Sequence, residues 1–191
     1  QVRNGRPRPT MIEIPSDVMT AEIPDDFVYT PAPRLRVGPD PDLVKKAAEV
    51  LVAAERPVIY AGQGIHYAEA WSQLKELAEL LEAPVTTSIQ GKSAFPEDHP
   101  LSLGCAGRSL PKAAWDFLQD SDVIFGIGCS FSSTNYGTTM PKGKTIIHAT
   151  LDTLDVNKDV VSQHQIIGDA GLILDAVLEE VKDRLKGKAR G

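Results

Sequence analysis

Cysteine is scarce in this sequence: among 191 residues there are only Cys105 and Cys129. Two cysteines far apart exclude a disulfide scaffold and are too few for a structural zinc site. Aromatic residues are also few, at 6%. No apolar run reaches the roughly 18 residues that a membrane-spanning helix requires. The start, Gln1-Val2-Arg3-Asn4-Gly5-Arg6, has no apolar core of a signal peptide. A basic face is missing as well, with 20 Lys and Arg against 26 Asp and Glu and a net charge of −6. The arginines near the start and the basic residues of the tail read as solvated ends, so a nucleic-acid partner is not expected. Together these absences point to a cytoplasmic protein with reduced thiols and no membrane contact. The first residue is not methionine, and Met11 lies inside a strand-like run, which reads as a chain cut from something larger.

What is present is enough apolar residue, 42%, for a chain of this length to bury roughly 70% of its unfolded surface. Thr10–Ile14 reads as a short strand closed by Pro9 and Pro15. Pro24, Pro31, Pro33 and Pro39 then make 20–39 an extended linker. The body begins at Asp40-Pro41, a side-chain cap followed by proline at the first helical position. Leu43, Val44, Ala47, Val50, Leu51 and Ala54 recur at helical spacing. Strands are predicted at Val58–Ala61, Pro84–Thr87, Val123–Ile127, Thr145–His148 and Gln165–Ile167, with helices at about 67–81, at 113–118 and after the capping Asp169. Short, continuously apolar strands separated by helices imply a parallel sheet of five to six strands with helices on both faces, a Rossmann-like α/β class. Ligands of such sheets settle at the carboxyl ends of the strands.

The familiar nucleotide motifs are incomplete. Gly62-Gln63-Gly64 follows a strand and precedes a helix, but Tyr67 stands where a dinucleotide fingerprint has its third glycine. Gly126-Ile127-Gly128 has the same defect at Phe131. Gly91-Lys92-Ser93 and Gly143-Lys144-Thr145 lack the preceding glycine of a Walker loop, having Thr86 and Thr138 there. The four histidines, His66, His99, His148 and His164, are too scattered for a metal centre. No Gly-x-Ser-x-Gly elbow surrounds Ser130, Ser132 or Ser133. Asp152, Asp155 and Asp159 read either as a capped turn or as contacts to a ribose. His148, at a strand end, either faces a ligand or is a hydrogen-bonded structural histidine.

The order of the pieces resembles one family: the central domain of thiamine-diphosphate-dependent enzymes of the acetolactate synthase and pyruvate oxidase group. The resemblance rests on Gly5–Val18, Arg56–Gly64, Ala83–Ser88, Gly91–Leu101, Leu103–Gly107, Asp122–Gly128, Ile146–His148 and Ile167–Ala170, in that order, and spans nearly the whole chain. It implies 1–19 as the end of a preceding pyrimidine-binding domain, 20–39 as linker, 40–187 as a six-stranded central domain and 188–191 as tail. It implies a non-catalytic domain that binds FAD, ADP or the ADP part of coenzyme A in some members and nothing in others. The parent would be a transferase or lyase acting on 2-oxo acids. Its thiamine diphosphate and magnesium would be held by N- and C-terminal domains, within a homo-oligomer, dimer or tetramer. This chain would supply no catalytic residue and no metal ligand, and alone would be inactive.

A nucleotide, if bound, is expected at Gly62, Gln63, Gly64, Thr86, Thr87, Ser88, Gly104, Gly107, Gly128, Ser130, Asp152, Gly168 and Asp169. Two departures weigh against it. Ser130 stands where flavin-binding members have arginine, and Thr150 where they have the first of two aspartates. Each lost charge-assisted hydrogen bond is worth roughly 1.5–3 kcal/mol, so ADP is expected ahead of FAD. The family's Gly-Asp-Gly magnesium motif is matched only superficially by Gly168-Asp169-Ala170, with no asparagine after it. The alternative is a structural spacer with no ligand.

Overall fold

The computed structural model describes residues 4–186; the four-residue tail expected at 188–191 lies outside them. The chain divides into two compact units, Gln1–Arg36 and Val37–Gly191.

In the first unit one helical turn, α1 (Ser16–Met19), is the only regular element among the described residues. Asn4 ties the ends of this unit together: its Nδ2 donates to Pro33 O at 3.1 Å and its Oδ1 accepts from Leu35 N. The strand expected at Thr10–Ile14 does not form. A strand is stable only against a partner ladder, and no partner for it occurs among the described residues. Met11, Ile12, Phe27, Val28 and Tyr29 are all exposed.

The second unit is a parallel sheet in the order β3-β2-β1-β4-β5-β6. The strands are β1 (Pro57–Ala61), β2 (Val85–Thr87), β3 (Ser102–Cys105), β4 (Val123–Ile127), β5 (Thr145–Thr150) and β6 (His164–Ile167). The helices are α2 (Pro41–Ala53), α3 (Gly64–Ala68), α4 (Trp71–Leu81), α5 (Lys112–Asp120) and α6 (Ala170–Arg184). Helices α2, α4 and α6 cover one face, where Leu51, Leu77 and Val177 meet Ile59, Phe125 and Ile147. On the other face α5 presents Ala114 and Leu118 to Val58, Tyr60, Ile124 and Ile146. Alternate residues of β1, β4 and β5 thus serve opposite cores, as parallel strands buried on both faces require.

Both predicted caps are made. Asp40 accepts from Asp42 N and Leu43 N, and Asp169 from Gly171 N and Leu172 N. Two further expectations are corrected. The single helix over 67–81 is two helices, because Glu69 turns left-handed (φ 54°) and Ala70 N reaches back to Ile65 O at 3.0 Å. This is the hydrogen-bond pattern that normally ends a helix at glycine, built here on glutamate and therefore silent in the sequence. The strand β3 lies within 91–107, where no strand is predicted; Gly104 at φ 77° and an irregular register against β2 hide its periodicity.

Candidate functional site

In a sheet of this order the strand direction of travel switches between β1 and β4, and a ligand crevice is expected beyond their carboxyl ends. There the loop 62–64 and the loop 128–130 lie directly on each other. Gly62 N donates to Ile127 O at 2.9 Å, Gly64 N to Gly128 O at 2.8 Å and Gly128 N to Ala149 O at 2.9 Å. A Cβ on Gly62 would stand 2.3 Å from Gly128 O, and one on Gly64 2.6 Å from Gly128 Cα. Glycine is needed at both positions for one backbone to cross another. Gly91 lies close by, its virtual Cβ 2.6 Å from Ala61 O, so it too serves this crossing.

The remaining sequence-identified groups are spent in the same way. Thr86 Oγ1 donates to Gly104 O at 2.9 Å, and Thr87 O accepts from Ala106 N at 2.7 Å. Ser88 Oγ accepts from Gly91 N at 3.0 Å, while Ser88 O accepts the Cys105 thiol at 3.5 Å. Gly107 pairs with Gly137 and has Ile89 against it. Ser130 Oγ accepts from Ser132 N at 3.3 Å. Asp152 accepts from Leu154 N at 3.1 Å and so caps the 3-10 turn Thr153–Asp155. Gly168 N donates to Thr150 O at 3.0 Å, and Asp169 caps α6. Gln63 alone of the set is fully at the surface. Of the other two acids, Asp155 accepts from Thr150 Oγ1 at 3.3 Å and Asp159 from Ser133 N at 2.8 Å. The structure thus joins Gly62–Gly64 to Gly128, and Thr86–Ser88 to Gly104–Gly107, but through bonds to one another.

A second constellation was not singled out from sequence. Phe131, in left-handed backbone at φ 48°, folds its ring back onto Gly126, whose virtual Cβ would fall 2.2 Å from Phe131 Cζ. The ring stacks on Tyr60 at 5.6 Å and 13°, and meets His148 edge-on at 4.9 Å and 67°. His148 is fully buried. Its Nε2 faces Cys129 O at 3.0 Å. A carbonyl only accepts, so Nε2 carries the proton and Nδ1 is a lone-pair acceptor. Nδ1 is the one buried side-chain polar atom among the described residues with no partner. Burial lowers the His148 pKa against the opposing pull of the Cys129 carbonyl and Asp155. Burial likewise pushes the Cys129 thiol up to about 12, which leaves it a poor nucleophile. The clue in sequence was Phe131 itself, where a glycine was sought and a large ring stands.

A family model described as the thiamine pyrophosphate enzyme central domain matches residues 44–177. The chain belongs to that family. Relatives of this central domain include a probable acetolactate synthase large subunit of Methanocaldococcus jannaschii, 39% identical over 94% of the chain and 33% of the relative. Another is a glyoxylate carboligase of Escherichia coli O157:H7, 32% identical over 97% of the chain and 32% of the relative. Among solved structures, benzoylformate decarboxylase from Polynucleobacter necessarius superposes with a TM-score of 0.70 at 30% identity, covering 86% of this chain and 31% of that one. The chain spans about a third of the length of the curated relatives it matches.

The groups implied by the family can be tested against this central domain. A diphosphate needs free backbone amides at the glycine loop, and those of Gly62, Gly64 and Gly128 are committed to carbonyls. Those three amides are therefore not offered to a diphosphate. Gly168-Asp169-Ala170, the superficial match to the magnesium motif, starts α6, with Asp169 accepting from Gly171 N and Leu172 N as its cap. Among the described residues no group of three His, Cys, Asp or Glu is placed to hold a metal ion, and no helix is long and apolar enough to cross a membrane.

Proposed function

We propose that this chain is the non-catalytic central domain of a thiamine-diphosphate-dependent enzyme resembling acetolactate synthase, a transferase or lyase of 2-oxo acids. In that reading it spaces and orients N- and C-terminal domains that hold thiamine diphosphate and magnesium, in a cytoplasmic homo-oligomer. One observation carries the spacer reading over the nucleotide reading: the glycine amides of the two loops, Gly62, Gly64 and Gly128, are already hydrogen-bonded to carbonyls of neighbouring strands and loops. The same bonds give a spacer what it needs, a rigid seam at the centre of the sheet.

The test is calorimetric and thermal titration of the purified chain with ADP and with FAD. The expected result is no heat and no shift of melting temperature, with no flavin absorbance in protein purified without added nucleotide. A ligand at about 100 times Kd would add about 2.7 kcal/mol of stability. Such a gain would overturn the spacer reading and restore ADP at the rim formed by Gln63, Ser88, Ser130 and Asp152. The pure chain given thiamine diphosphate, magnesium and pyruvate is expected to show no turnover.

A further inference from the structure

The break between α3 and α4 carries a histidine whose two ring nitrogens are both engaged. His66 Nε2 faces Lys92 O at 2.9 Å, and Trp71 Nε1 donates to His66 Nδ1 at 3.0 Å. A carbonyl only accepts and an indole N–H only donates. Both contacts therefore require the neutral ring, with its proton on Nε2 and its lone pair on Nδ1. The imidazole bolts three segments together: α3, the first residue of α4 and the loop that follows Gly91. The turn between the helices is closed by Glu69 N to His66 O at 3.2 Å and Ala70 N to Ile65 O at 3.0 Å, around left-handed Glu69. The imidazole and indole rings lie 6.0 Å apart, tilted at 57°. Trp71 is 42% exposed, so the indole has solvent to turn into.

We propose that His66 and Trp71 form an acid-operated latch at the start of α4, which opens when the imidazole takes up a second proton. That proton goes to Nδ1, the atom that holds the indole. The cation has two donors and no acceptor, and the indole N–H cannot accept, so no rotation of either ring restores the bond. The Nε2–H bond to Lys92 O survives and gains from the charge. Acid thus frees Trp71 and leaves α3 tied to the loop beside the glycine crossing, where Gly91 packs on Ala61 O. The titratable groups on the elements that bond the ring are Tyr67 and Glu69 on α3, Lys75, Glu76 and Glu79 on α4, and Lys92, Glu97 and Asp98 on the loop. Lys75 pairs with Glu79, Glu76 with Lys182 and Lys92 with Glu97, and Glu79 also meets His99. Among the described residues none of these carboxylates is bonded to the His66 ring, so the freed Nδ1–H turns to water.

The chain has two tryptophans, so Trp115, on α5, serves as an internal control. The indole N–H resonances of the labelled full chain are followed from about pH 8 to about pH 5, the interval in which imidazole changes charge. The Trp71 N–H is expected to move upfield in step with the His66 ring resonances, as a proton does when it leaves a nitrogen lone pair for water, while the Trp115 N–H stays. In His66→Ala the Trp71 N–H is expected at its acid position throughout. In Trp115→Phe, which leaves Trp71 as the only tryptophan, acrylamide is expected to quench the fluorescence more strongly at the acid end than at the alkaline end. A Trp71 N–H that keeps its place through the whole titration overturns the proposal, and that result needs no variant to fold. A Trp71 signal that moves while its access to acrylamide stays constant would mean that the imidazolium remains on the indole face as a cation–π pair, and it overturns the latch equally.

Discussion

Two loops leave the carboxyl ends of β1 and β4, and the two places where they meet are built on opposite principles. At the glycine crossing, the closest contacts are backbone on backbone, and the amides of Gly62, Gly64 and Gly128 are each matched to a carbonyl. A few residues on, at Phe131, the contacts are rings, and a buried imidazole nitrogen goes without a partner. The first has no room for adjustment, since hydrogen-bonded backbones cannot give way. The second fills space well and satisfies polarity poorly. Absence of side chain at one glycine can therefore mean a closed seam and at another a seat for a ring. Sequence alone does not tell the two apart.

The sharpest way to break the comparison is at the crossing. Gly64→Val places its Cβ 2.6 Å from Gly128 Cα. Backbone cannot be repacked like a side chain, so a loss of about 4 kcal/mol or more is expected in urea unfolding. At the ring cluster, Gly126→Ala pushes into the Phe131 ring, which can move, and a smaller loss of about 1–3 kcal/mol is expected. Combining it with Phe131→Ala should give a cost below the sum of the two, with a coupling of roughly 0.5–3 kcal/mol. Strict additivity would mean the ring does not rest on Gly126.

Buried His148 should also make folding sensitive to acid, and the crossing should not. Burial keeps His148 neutral and lowers its pKa below the ordinary 6.5. In the unfolded chain the same histidine takes up a proton as pH falls through that value. Its contribution to stability is therefore complete above about pH 6.5 and is lost as pH falls towards the lower folded pKa. Urea midpoints at pH 7.5 and pH 5 should separate more in the native chain than in His148→Asn. The smallest effect is expected away from both sites: Asp169→Ala removes the α6 cap at a cost of about 1 kcal/mol, read as a small shift of the thermal midpoint.

Much of this fold was legible because its signals are local. Asp40-Pro41 and Asp169 announce helix starts through their own chemistry, and Val123–Ile127 through an unbroken apolar run. The break at Glu69 and the strand Ser102–Cys105 were not legible. The first puts left-handed backbone on a residue that rarely adopts it, and the second depends on β2 being beside it. At the candidate site the residue types were read correctly as small and polar, and their placement at the strand ends followed from the sheet order. What the sequence could not reveal was their partners. Thr86 and Gly104, Gly62 and Ile127, or Asp155 and Thr150 are bonded through space, so a hydroxyl engaged with a carbonyl looks the same in sequence as one awaiting a phosphate. The match to the family, read from the order of many weak pieces, carried further than any single motif.

The strand order has a consequence for how the molecule is made. Strand β2 follows β1 through a helical connection and lies beside it, whereas β4, β5 and β6 come later in sequence and lie on the far side. The register Pro57 with Val123 must wait until the chain has emerged through both halves, and closing so long a loop is slow and costs entropy before any contact repays it. During synthesis on the ribosome the half ending at Cys105 therefore has its ladders but no seam, with the apolar edge of β1 open to the wrong neighbour. Bare backbone at Gly62 and Gly64 leaves no side chain to be moved aside where Gly128 docks.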